Sequence, residues 1–277
     1  MKSIVITGVS TGIGYEAAKM LVGRGWRVFG SVRKQADADR VQQELGEGFT
    51  PLLFDVTDEG AIATAVAQIP VPLTALINNA GIAEPAPLMH MSLDDFRRHL
   101  EINVTGVLAV TQAFLPLLGA QTNWPHPPGR IVNISSVSGQ IAYPFMGAYA
   151  ASKHALEAMS DALRRELLLY GVDVILIEPG TVKTPIIGKF AQQVERYMQT
   201  DYGRVLHHLA ATVDKREQSA LPVERVTAVI LKALESEHSR TRYPIPRKRL
   251  TGWLLPRWLP DRWFDRLIAR QLKIGNR

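Results

Sequence analysis

Tyr149 and Lys153 lie four residues apart in the segment GAYAASKHALEAMSDALRREL, residues 147–167, whose apolar spacing is that of an amphipathic helix. On an α-helix, residues i and i+4 share one face, with Cβ atoms about 5–6 Å apart. Because a neighbouring ammonium ion favours a phenolate, we expect Lys153 to lower the pKa of Tyr149. Such a pair could act as an acid and base near neutral pH. Taken alone, the spacing also fits a partly exposed tyrosine on a solvated helix.

The elements that must position this pair alternate regularly along the chain. Six short apolar runs, rich in β-branched residues, have the nearly continuous apolar character of strands covered on both faces. Amphipathic segments separate them, which predicts an α/β fold built on a Rossmann-type doubly wound parallel sheet. The predicted strands cover 3–7, 26–32, 50–55, 73–79, 130–135 and 172–178, and the predicted helices begin near 12, 37, 58, 92 and 147.

We expect these elements to form a single domain, residues 1–246, with a substrate-loop region at about 184–220. A basic, Trp-rich, helical C-terminal extension, residues 247–277, follows it. The Pro-rich connection 119–129 is expected to be a surface loop.

The composition narrows the possible classes of function. The 277 residues are 46% hydrophobic and include no Cys, which excludes disulfides, a thiol nucleophile and a cysteine metal site. The seven His residues show no metal-ligand spacing, so we expect no metal. There is no run of about 18 apolar residues, as a spanning helix would need. The N-terminus enters an apolar run without a signal peptide's cleavage region, and we expect a cytoplasmic protein.

The basic charge is concentrated near the C-terminus. Residues 240–277 contain eleven Lys and Arg against two Asp and Glu, whereas residues 1–239 contain 21 against 24. A nucleic-acid-binding protein usually combines a basic stripe with a recognisable reading motif. No such motif is present in this sequence, and we expect no nucleic-acid partner.

Glycines follow the first predicted strand in TGVSTGIG, residues 7–14. Gly8, Gly12 and Gly14 have the spacing G-x-x-x-G-x-G, between the first strand and the first helix. Glycines there let the backbone turn tightly and approach a pyrophosphate, whose charge sits at the helix N-terminus. A plain strand–helix turn also uses one or two glycines, but this position favours cofactor binding.

Seven motifs in order make the chain resemble the classical short-chain dehydrogenase/reductase family, from Lys2 to about Thr184. The resemblance implies an oxidoreductase that uses a nicotinamide dinucleotide to interconvert an alcohol and its carbonyl. The motifs are TGVSTGIG, FDV at 54–56, NNAG at 78–81, Asn103, NISS at 133–136, YAASK at 149–153 and PGTVKT at 179–184.

The resemblance implies a role for each matching catalytic position. Tyr149 matches the acid/base that exchanges a proton with the substrate oxygen, and Lys153 matches the residue that lowers its pKa and binds the nicotinamide ribose. Ser136 matches the hydroxyl that orients the substrate oxygen; Ser135 and Ser138 are rivals, but the thirteen-residue spacing to Tyr149 favours Ser136. Asn103 matches the asparagine that holds a water of a proton relay.

The resemblance also implies which residues bind the cofactor. The glycine-rich turn would hold the pyrophosphate, the segments after the third and fourth strands would flank the adenosine, and PGTVKT would contact the nicotinamide together with the catalytic pair. These residues are Gly8, Ser10, Thr11, Gly12, Ile13, Gly14, Asp55, Val56, Asn79, Ala80, Gly81, Tyr149, Lys153, Pro179, Gly180, Val182 and Thr184.

The end of the second predicted strand bears on the choice of cofactor. It reads GSVRK, and the next carboxylate is Asp37. An acidic residue here favours NAD(H), whereas an Arg accommodates the 2′-phosphate of NADP(H). Arg33, with Lys34 and Ser10 as helpers, therefore predicts that NADP(H) is preferred over NAD(H). A solvated Arg at a strand end is the alternative.

Two other functions share much of this pattern. A related epimerase or dehydratase uses the same pair, but such relatives usually carry G-x-x-G-x-x-G at the first turn. A regulatory sensor would keep the fold and cofactor without catalysis, yet Ser136, Tyr149 and Lys153 are all present. Family members commonly pair through the helices near 104–118 and 148–170, which implies a homodimer or tetramer.

The substrate end is expected to form from 84–96, 138–147 and 184–220, where Met89, Met91, Tyr143, Phe145 and Met146 suggest an apolar lining or ordinary packing. The segments TRYPI at 241–245 and LLPRWLPDRWFDRL at 254–267 resemble the retinol and hydroxysteroid dehydrogenase-like branch, which implies a lipophilic or aromatic substrate.

A helix opening near Pro260 would place an apolar set opposite an Arg-rich set. We rank packing at the substrate entrance first and peripheral membrane contact second. The apolar set is Trp263, Phe264, Leu267, Ile268 and Leu272, and the basic set is Arg262, Arg266, Arg270 and Lys273.

Overall fold

A seven-stranded parallel sheet organises the molecule, whose computed structural model describes residues 1–184, 190–212 and 218–274. The strand order is β3-β2-β1-β4-β5-β6-β7. The direction of winding reverses between β1 and β4, where ligands of doubly wound sheets bind. The predicted Rossmann-type fold is confirmed. The strands are β1 (Ser3–Ile6), β2 (Arg27–Val32), β3 (Phe49–Leu53), β4 (Ala75–Asn78), β5 (Arg130–Ile134), β6 (Asp173–Pro179) and β7 (Arg242–Ile245).

Helices cover both faces of this sheet and enclose two apolar cores. In strand β1, Ile4 and Ile6 point to one face of the sheet and pack into the first core. Val5 points to the opposite face and packs into the second core. The helices are α1 (Gly12–Val22), α2 (Gln35–Leu45), α3 (Glu59–Ala67), α4 (Leu93–Leu100), α5 (Gly106–Phe114), α6 (Gly147–Glu166), α7 (Phe190–Val194), α8 (Gly203–Ala210), α9 (Val223–Glu235), α10 (Leu255–Trp258) and α11 (Asp261–Leu272). All five predicted helices are present.

Strand β7 is the element that the sequence pattern did not predict. It contains Pro244 and is only four residues long, so it carries little periodic signal. It pairs in parallel with β6 at the edge of the sheet, where a proline costs no hydrogen bond to a further strand. Its last residue, Ile245, accepts a hydrogen bond from Gly180, and this contact joins the end of β7 to the PGTVKT segment.

The helical stretch Leu93–Leu118 has the length and hydropathy of a membrane span, and one side of it packs into the core. Val110, Phe114 and Leu118 are fully buried between α3 and the sheet. A π-helical turn, Glu101–Thr105, interrupts the stretch and carries Asn103. Such turns are frequent at functional sites, because the extra residue frees part of the backbone ladder.

Candidate active site

One cleft of about 890 Å³ runs along the carboxyl ends of the parallel strands. Every candidate site residue lines it except Gly14 and Asn103, which lie beneath its floor. The glycine-rich turn after β1 forms one end, and Ser136, Tyr149 and Lys153 form the middle. The fold thus brings the predicted candidate residues together from seven separate segments of the chain.

The glycine-rich turn has a shape that only glycine fits at three positions. Gly8 and Gly12 have φ values of +71° and +65°, in the left-handed region. A Cβ on Gly14 would lie 2.3 Å from the Gly8 carbonyl oxygen and 2.4 Å from Asn79 Nδ2. The strand-to-helix turn is thereby packed flat against the end of β4, which leaves its outer surface to the cleft.

This turn fits the pyrophosphate of a dinucleotide. Helix α1 begins directly after Thr11, and no side chain caps its first backbone N–H groups. Unpaired N–H groups and the helix dipole favour a phosphate there. Ser10, Thr11 and Ile13 surround the same point of the cleft. The shape of the turn and the cleft volume of about 890 Å³ suit a nicotinamide dinucleotide.

Side chains beneath the turn, which the sequence pattern did not single out, fix its position. Thr7 Oγ1 accepts hydrogen bonds from the backbone N–H groups of Asn79 and Ala80, at 2.9 and 3.0 Å. Ser31 Oγ accepts one from Gly8 N at 3.0 Å. These contacts cross between strands, so no local sequence signal could have revealed them.

Arg33, which follows β2, lines the cleft. Its side chain is 72% exposed, and a guanidinium nitrogen lies 3.7 Å from an Asp55 carboxylate oxygen. Asp37 instead pairs with Arg40 at 3.4 Å. Arg40 also donates to the Ser10 carbonyl at 2.6 Å, a contact that the sequence did not predict. Asp37, the first carboxylate after Arg33 in the sequence, is thus paired with Arg40 and does not line the cleft.

Ser136 and Tyr149 form the polar centre of the cleft. The Ser136 hydroxyl accepts a hydrogen bond from Ser138 N at 3.1 Å, lies 3.4 Å from the Pro179 carbonyl oxygen and interacts with the Tyr149 phenol. Ser135 Oγ, by contrast, is buried next to Gly139 and Glu157, away from the phenol. The geometry therefore favours Ser136 over Ser135, in line with the sequence spacing.

Lys153 is buried one helical turn beyond Tyr149, with 6% of its surface exposed. Its ammonium donates to the Ile134 carbonyl at 2.7 Å and lies 5.8 Å from the centre of the Tyr149 ring. Burial lowers the pKa of Lys153 to about 8, an effect partly offset by the Glu157 carboxylate.

The expected lowering of the Tyr149 pKa is wrong for this structure. Burial raises the pKa of the phenol, and the hydrogen bond from Ser136 offsets only part of that effect. The reason is geometric, since the Lys153 ammonium points to the Ile134 carbonyl at the end of β5. Tyr149 is therefore held in its protonated form.

Asn103 ties the π-helical turn to the catalytic helix. Its amide oxygen accepts from Ile82 N, and its Nδ2 donates to the Ile82 carbonyl, both at 2.9 Å. The same Nδ2 donates to Ser152 Oγ at 2.9 Å, and Ser152 donates to the Tyr149 carbonyl at 2.7 Å. A Cβ on Gly81 would lie 2.9 Å from this amide oxygen. The predicted water-holding role of Asn103 stays a prediction.

The PGTVKT segment closes the other side of the cleft. Leu221 bonds to the Thr181 carbonyl and to Lys183 N, at 2.8 and 2.9 Å. In an extended segment, the backbone groups of the intervening Val182 then point away from Leu221 and toward the cleft. Thr184 reaches back to the glycine turn, since a Cβ on Gly12 would lie 3.4 Å from its methyl group.

The substrate end of the cleft has an apolar lining that differs in part from the prediction. Tyr143, Phe145 and Met146 line it. Met89 does not, because it is exposed to solvent, and Met91 packs into a separate small core. The predicted loop region 184–220 falls partly outside the described residues, at 185–189 and 213–217.

The C-terminal extension completes this end of the cleft. Ile268, Gln271 and Leu272 of α11 line it, and the Phe264 and Tyr143 rings make an edge-on contact with centroids 6.1 Å apart. The predicted packing of the extension at the substrate entrance therefore agrees with the structure. Its apolar residues do not form one buried face, however, because Trp263 and Leu267 are exposed.

Comparison with known sequences points to one family. A sequence profile described as short chain dehydrogenase matches residues 2–195. The chain is 39% identical to an NADPH-dependent 3-dehydrocapnine reductase of Ornithobacterium rhinotracheale, over 99% of this chain and 98% of that protein. It is 32% identical to the 17-beta-hydroxysteroid dehydrogenase type 6 of Homo sapiens, over 97% and 88% of the two chains.

Solved structures agree with this family assignment. A short-chain dehydrogenase from Streptomyces avermitilis superposes with a TM-score of 0.74 at 25% identity, covering 99% of this chain and 96% of that one. An actinorhodin polyketide ketoreductase with NADPH also superposes with a TM-score of 0.74 at 25% identity, covering 88% and 95%. The arrangement of strands and helices is thus shared with these proteins.

Proposed function

This chain belongs to the short-chain dehydrogenase/reductase family and is an NAD(P)-dependent oxidoreductase, and we propose that it reduces a lipophilic ketone or aldehyde with NADPH. The observation that carries the proposal is that Ser136, Tyr149 and Lys153 line one cleft of about 890 Å³ together with the glycine-rich turn. The glycine-rich turn lies at one end of this cleft and an apolar lining at the other.

The residues around Ser136 and Tyr149 suit proton donation to a carbonyl oxygen. The nicotinamide, when bound, supplies the hydride chemistry, and the protein positions and polarises the substrate. The Ser136 and Tyr149 hydroxyls converge on one region, where two donors stabilise the negative charge that develops on a carbonyl oxygen. Because burial raises the pKa of Tyr149, its phenol carries the proton that this oxygen requires at neutral pH.

Lys153 and Asn103 assist Ser136 and Tyr149, the first by its charge and the second by positioning the helix. Lys153 brings a buried positive charge under the phenol, where it can compensate the phenolate left after the proton moves. Asn103 sets the start of α6 through Ser152, whose hydroxyl bonds to the Tyr149 carbonyl. We assign Ser136 and Tyr149 as catalytic residues, Lys153 as their electrostatic partner and Asn103 as a positioning residue with a relay role.

The preference for NADPH rests on Arg33. It is a cation at the adenosine end, and no carboxylate at the end of β2 competes for the ribose hydroxyls. A relative of 39% identity is named an NADPH-dependent reductase, and a structural neighbour binds NADPH. The ion pair with Asp55 joins two exposed groups and is worth about 0–1 kcal/mol, so a phosphate can replace it.

The proposed substrate class follows from the residues that line the cleft at the end opposite Arg33. Tyr143, Phe145, Met146, Ile268 and Leu272 offer apolar and aromatic surface around the phenol. Relatives named retinol dehydrogenase 5 and 17-beta-hydroxysteroid dehydrogenase type 6 are 31% and 32% identical to this chain. We therefore favour a carbonyl compound with a large apolar body. We also propose a cytoplasmic location and a homo-oligomeric state.

A spectrophotometric assay tests the proposal. Purified protein is mixed with NADPH and a panel of long-chain, aromatic and steroid ketones and aldehydes, and loss of NADPH absorbance is followed. We expect turnover with the bulky apolar members and a fall of about two or more orders of magnitude in Tyr149→Phe, which loses the proton donor. Tight NADPH binding without turnover of any member would instead support the sensor alternative.

A further inference from the structure

The C-terminal extension carries an exposed apolar surface that its packing on the cleft does not use. Trp258 and Trp263 are 81% and 65% exposed, and Leu267 is 53% exposed. Trp263 and Leu267 lie one turn apart on α11 and therefore share a face. Large apolar side chains left in water cost hydrophobic free energy, and the exposed pair Trp263 and Leu267 on one helix face marks a contact surface.

Basic side chains lie on and beside the same surface. Arg266 and Arg270 follow Trp263 by three and seven residues and thus share its side of α11. Residues 247–277 contain nine of the 32 Lys and Arg residues of the chain but two of the 26 Asp and Glu residues. Within the described part of this extension, the only intra-extension ion pair joins Arg262 and Asp265, at 3.9 Å. We call the set Trp263, Arg266, Leu267 and Arg270 the outer face of α11.

The orientation of this outer face is fixed by contacts on the opposite side of the helix. Phe264 packs edge-on against Tyr143, while Ile268 and Leu272 line the cleft. Helix α11 is therefore anchored to the body by one side and presents the other to the surroundings. A surface held in this way needs no rearrangement to meet a partner.

We propose that the outer face of α11 docks on the surface of an anionic lipid bilayer. A helix with Trp and Leu beside Arg is suited to the boundary between headgroups and acyl chains. Each Lys or Arg near an anionic bilayer contributes about 1 kcal/mol of attraction. Docking there would bring the apolar end of the cleft to the membrane, where a lipophilic carbonyl compound is concentrated.

A second copy of this chain fits the same face less well. A symmetric dimer places identical patches against each other. Arg266 and Arg270 would then face the corresponding arginines of the partner, and the extension supplies few carboxylates to compensate them. Like charges brought together at an interface oppose association. The charge pattern thus complements anionic headgroups and not a second copy.

Co-sedimentation with vesicles tests the docking without any activity measurement, so it stands apart from the proposed function. The full chain is mixed with phosphatidylcholine vesicles or with vesicles that also contain phosphatidylglycerol. We expect binding to the anionic vesicles that weakens as salt increases, and little binding to neutral ones. Equal binding to both compositions, or to neither, would overturn the proposal.

Two variants and two matched controls locate the binding surface. Arg266→Gln/Arg270→Gln should weaken binding to anionic vesicles by about tenfold to thirtyfold, as two cations of this kind predict. Trp263→Ser/Leu267→Ser should also weaken it. Arg24→Gln/Arg97→Gln removes equal charge elsewhere, and Leu168→Ser/Leu169→Ser removes two apolar residues that are even more exposed; both controls should bind as the wild type does.

Sedimentation velocity in the absence of lipid tests whether a second copy of this chain occupies the outer face of α11. If the outer face joined two copies, Trp263→Ser/Leu267→Ser would dissociate an oligomer that the wild type forms, and the proposal would be wrong. An oligomeric state unchanged by the variant, together with lost vesicle binding, supports the bilayer. Should the apolar variant fail to fold, the arginine variant decides, since its changes are confined to exposed charges.

Discussion

The Nε atom of Arg242 lies 3.0 Å from a Glu157 carboxylate oxygen, behind the catalytic helix. The same nitrogen lies 3.4 Å from Glu178, a fully buried carboxyl at the end of β6. Glu157 in turn lies one helical turn beyond Lys153 and partly offsets the lowering of that ammonium's pKa. One strand-edge arginine thus serves two buried acids, and a second nitrogen of its guanidinium lies 3.0 Å from Asp161, so Glu178 shares this cation with two other carboxylates.

The wild type should lose stability at alkaline pH as Glu178 ionises, and Glu178→Gln should not show this loss. Burial, with repulsion from Glu157, raises the pKa of Glu178 to about 8 from 4.5. A raised pKa contributes stability that is present below about pH 4.5 and is lost as the pH rises through about 8. The glutamine variant should therefore gain stability over the wild type as the pH rises from about 5 to 9, on the order of a few kcal/mol at most.

Urea unfolding at several pH values measures this effect, with Glu59→Gln as the control. Glu59 is exposed at the start of α3, so its variant should follow the pH dependence of the wild type. A Glu178→Gln curve parallel to that of the wild type would mean that Glu178 stays ionised in the folded protein.

Lys153→Met should abolish turnover yet stabilise the fold at neutral pH. Burial lowers the pKa of Lys153 to about 8 from 10.5. A lowered pKa contributes stability that is present above about pH 10.5 and is lost as the pH falls through about 8, so the buried ammonium is a cost at pH 7. Methionine fills a similar volume without a charge.

Thermal unfolding without cofactor compares Lys153→Met with the wild type at pH 7 and at pH 10. We expect a higher midpoint for the variant at pH 7 and a smaller difference at pH 10. A lower midpoint at pH 7 would mean that the hydrogen bond to the Ile134 carbonyl and the attraction of Glu157 outweigh the cost of burial.

The proposed catalytic centre rests on short, ordered spacings that can be read from the sequence. Tyr149 and Lys153 share a helix face, and the glycines of the first turn are needed for positive φ and close packing. The direction of the Tyr149 pKa shift could not be predicted, because it depends on where the Lys153 ammonium points, and that is set by the carbonyl of Ile134 on another element.

Strand β7 and the Arg242 cluster escaped prediction for a related reason. Four residues with a central proline resemble a turn until β6 supplies the partner edge. Glu157 and Glu178 look like ordinary polar positions of a helix and a strand, and only the packing of α6 against β6 buries both. The sequence indicates the elements, whereas burial and charge pairing arise between them.

Arg33→Asp should weaken or reverse the preference for NADP(H). The change removes the cation that would meet a 2′-phosphate and supplies a carboxylate that can accept from ribose hydroxyls. It also places two carboxylates close together, because a guanidinium nitrogen of Arg33 lies 3.7 Å from the Asp55 carboxylate in the wild type. Steady-state kinetics with both cofactors should show a higher KM for NADPH and a lower one for NADH.

Arg33→Gln separates the two effects of that change. It removes the cation without adding an acceptor, so the KM for NADPH should rise while that for NADH stays near the wild-type value. A wild type equally efficient with both cofactors would refute the assignment of Arg33, whatever the variants do.

The two sides of α11 should respond differently in a kinetic assay without vesicles. Ile268→Ser/Leu272→Ser changes the side that lines the cleft, and it should raise the KM for a bulky apolar carbonyl compound more than the KM for NADPH. Each serine removes buried apolar surface worth about 1.5–3 kcal/mol per side chain at full burial, an upper limit for these partly buried positions. Trp263→Ser/Leu267→Ser changes the exposed side and should leave both KM values unchanged, while a small carbonyl compound should be insensitive to either variant. If both variants raised the two KM values equally, α11 would be acting on the stability of the whole cleft and not on its substrate end.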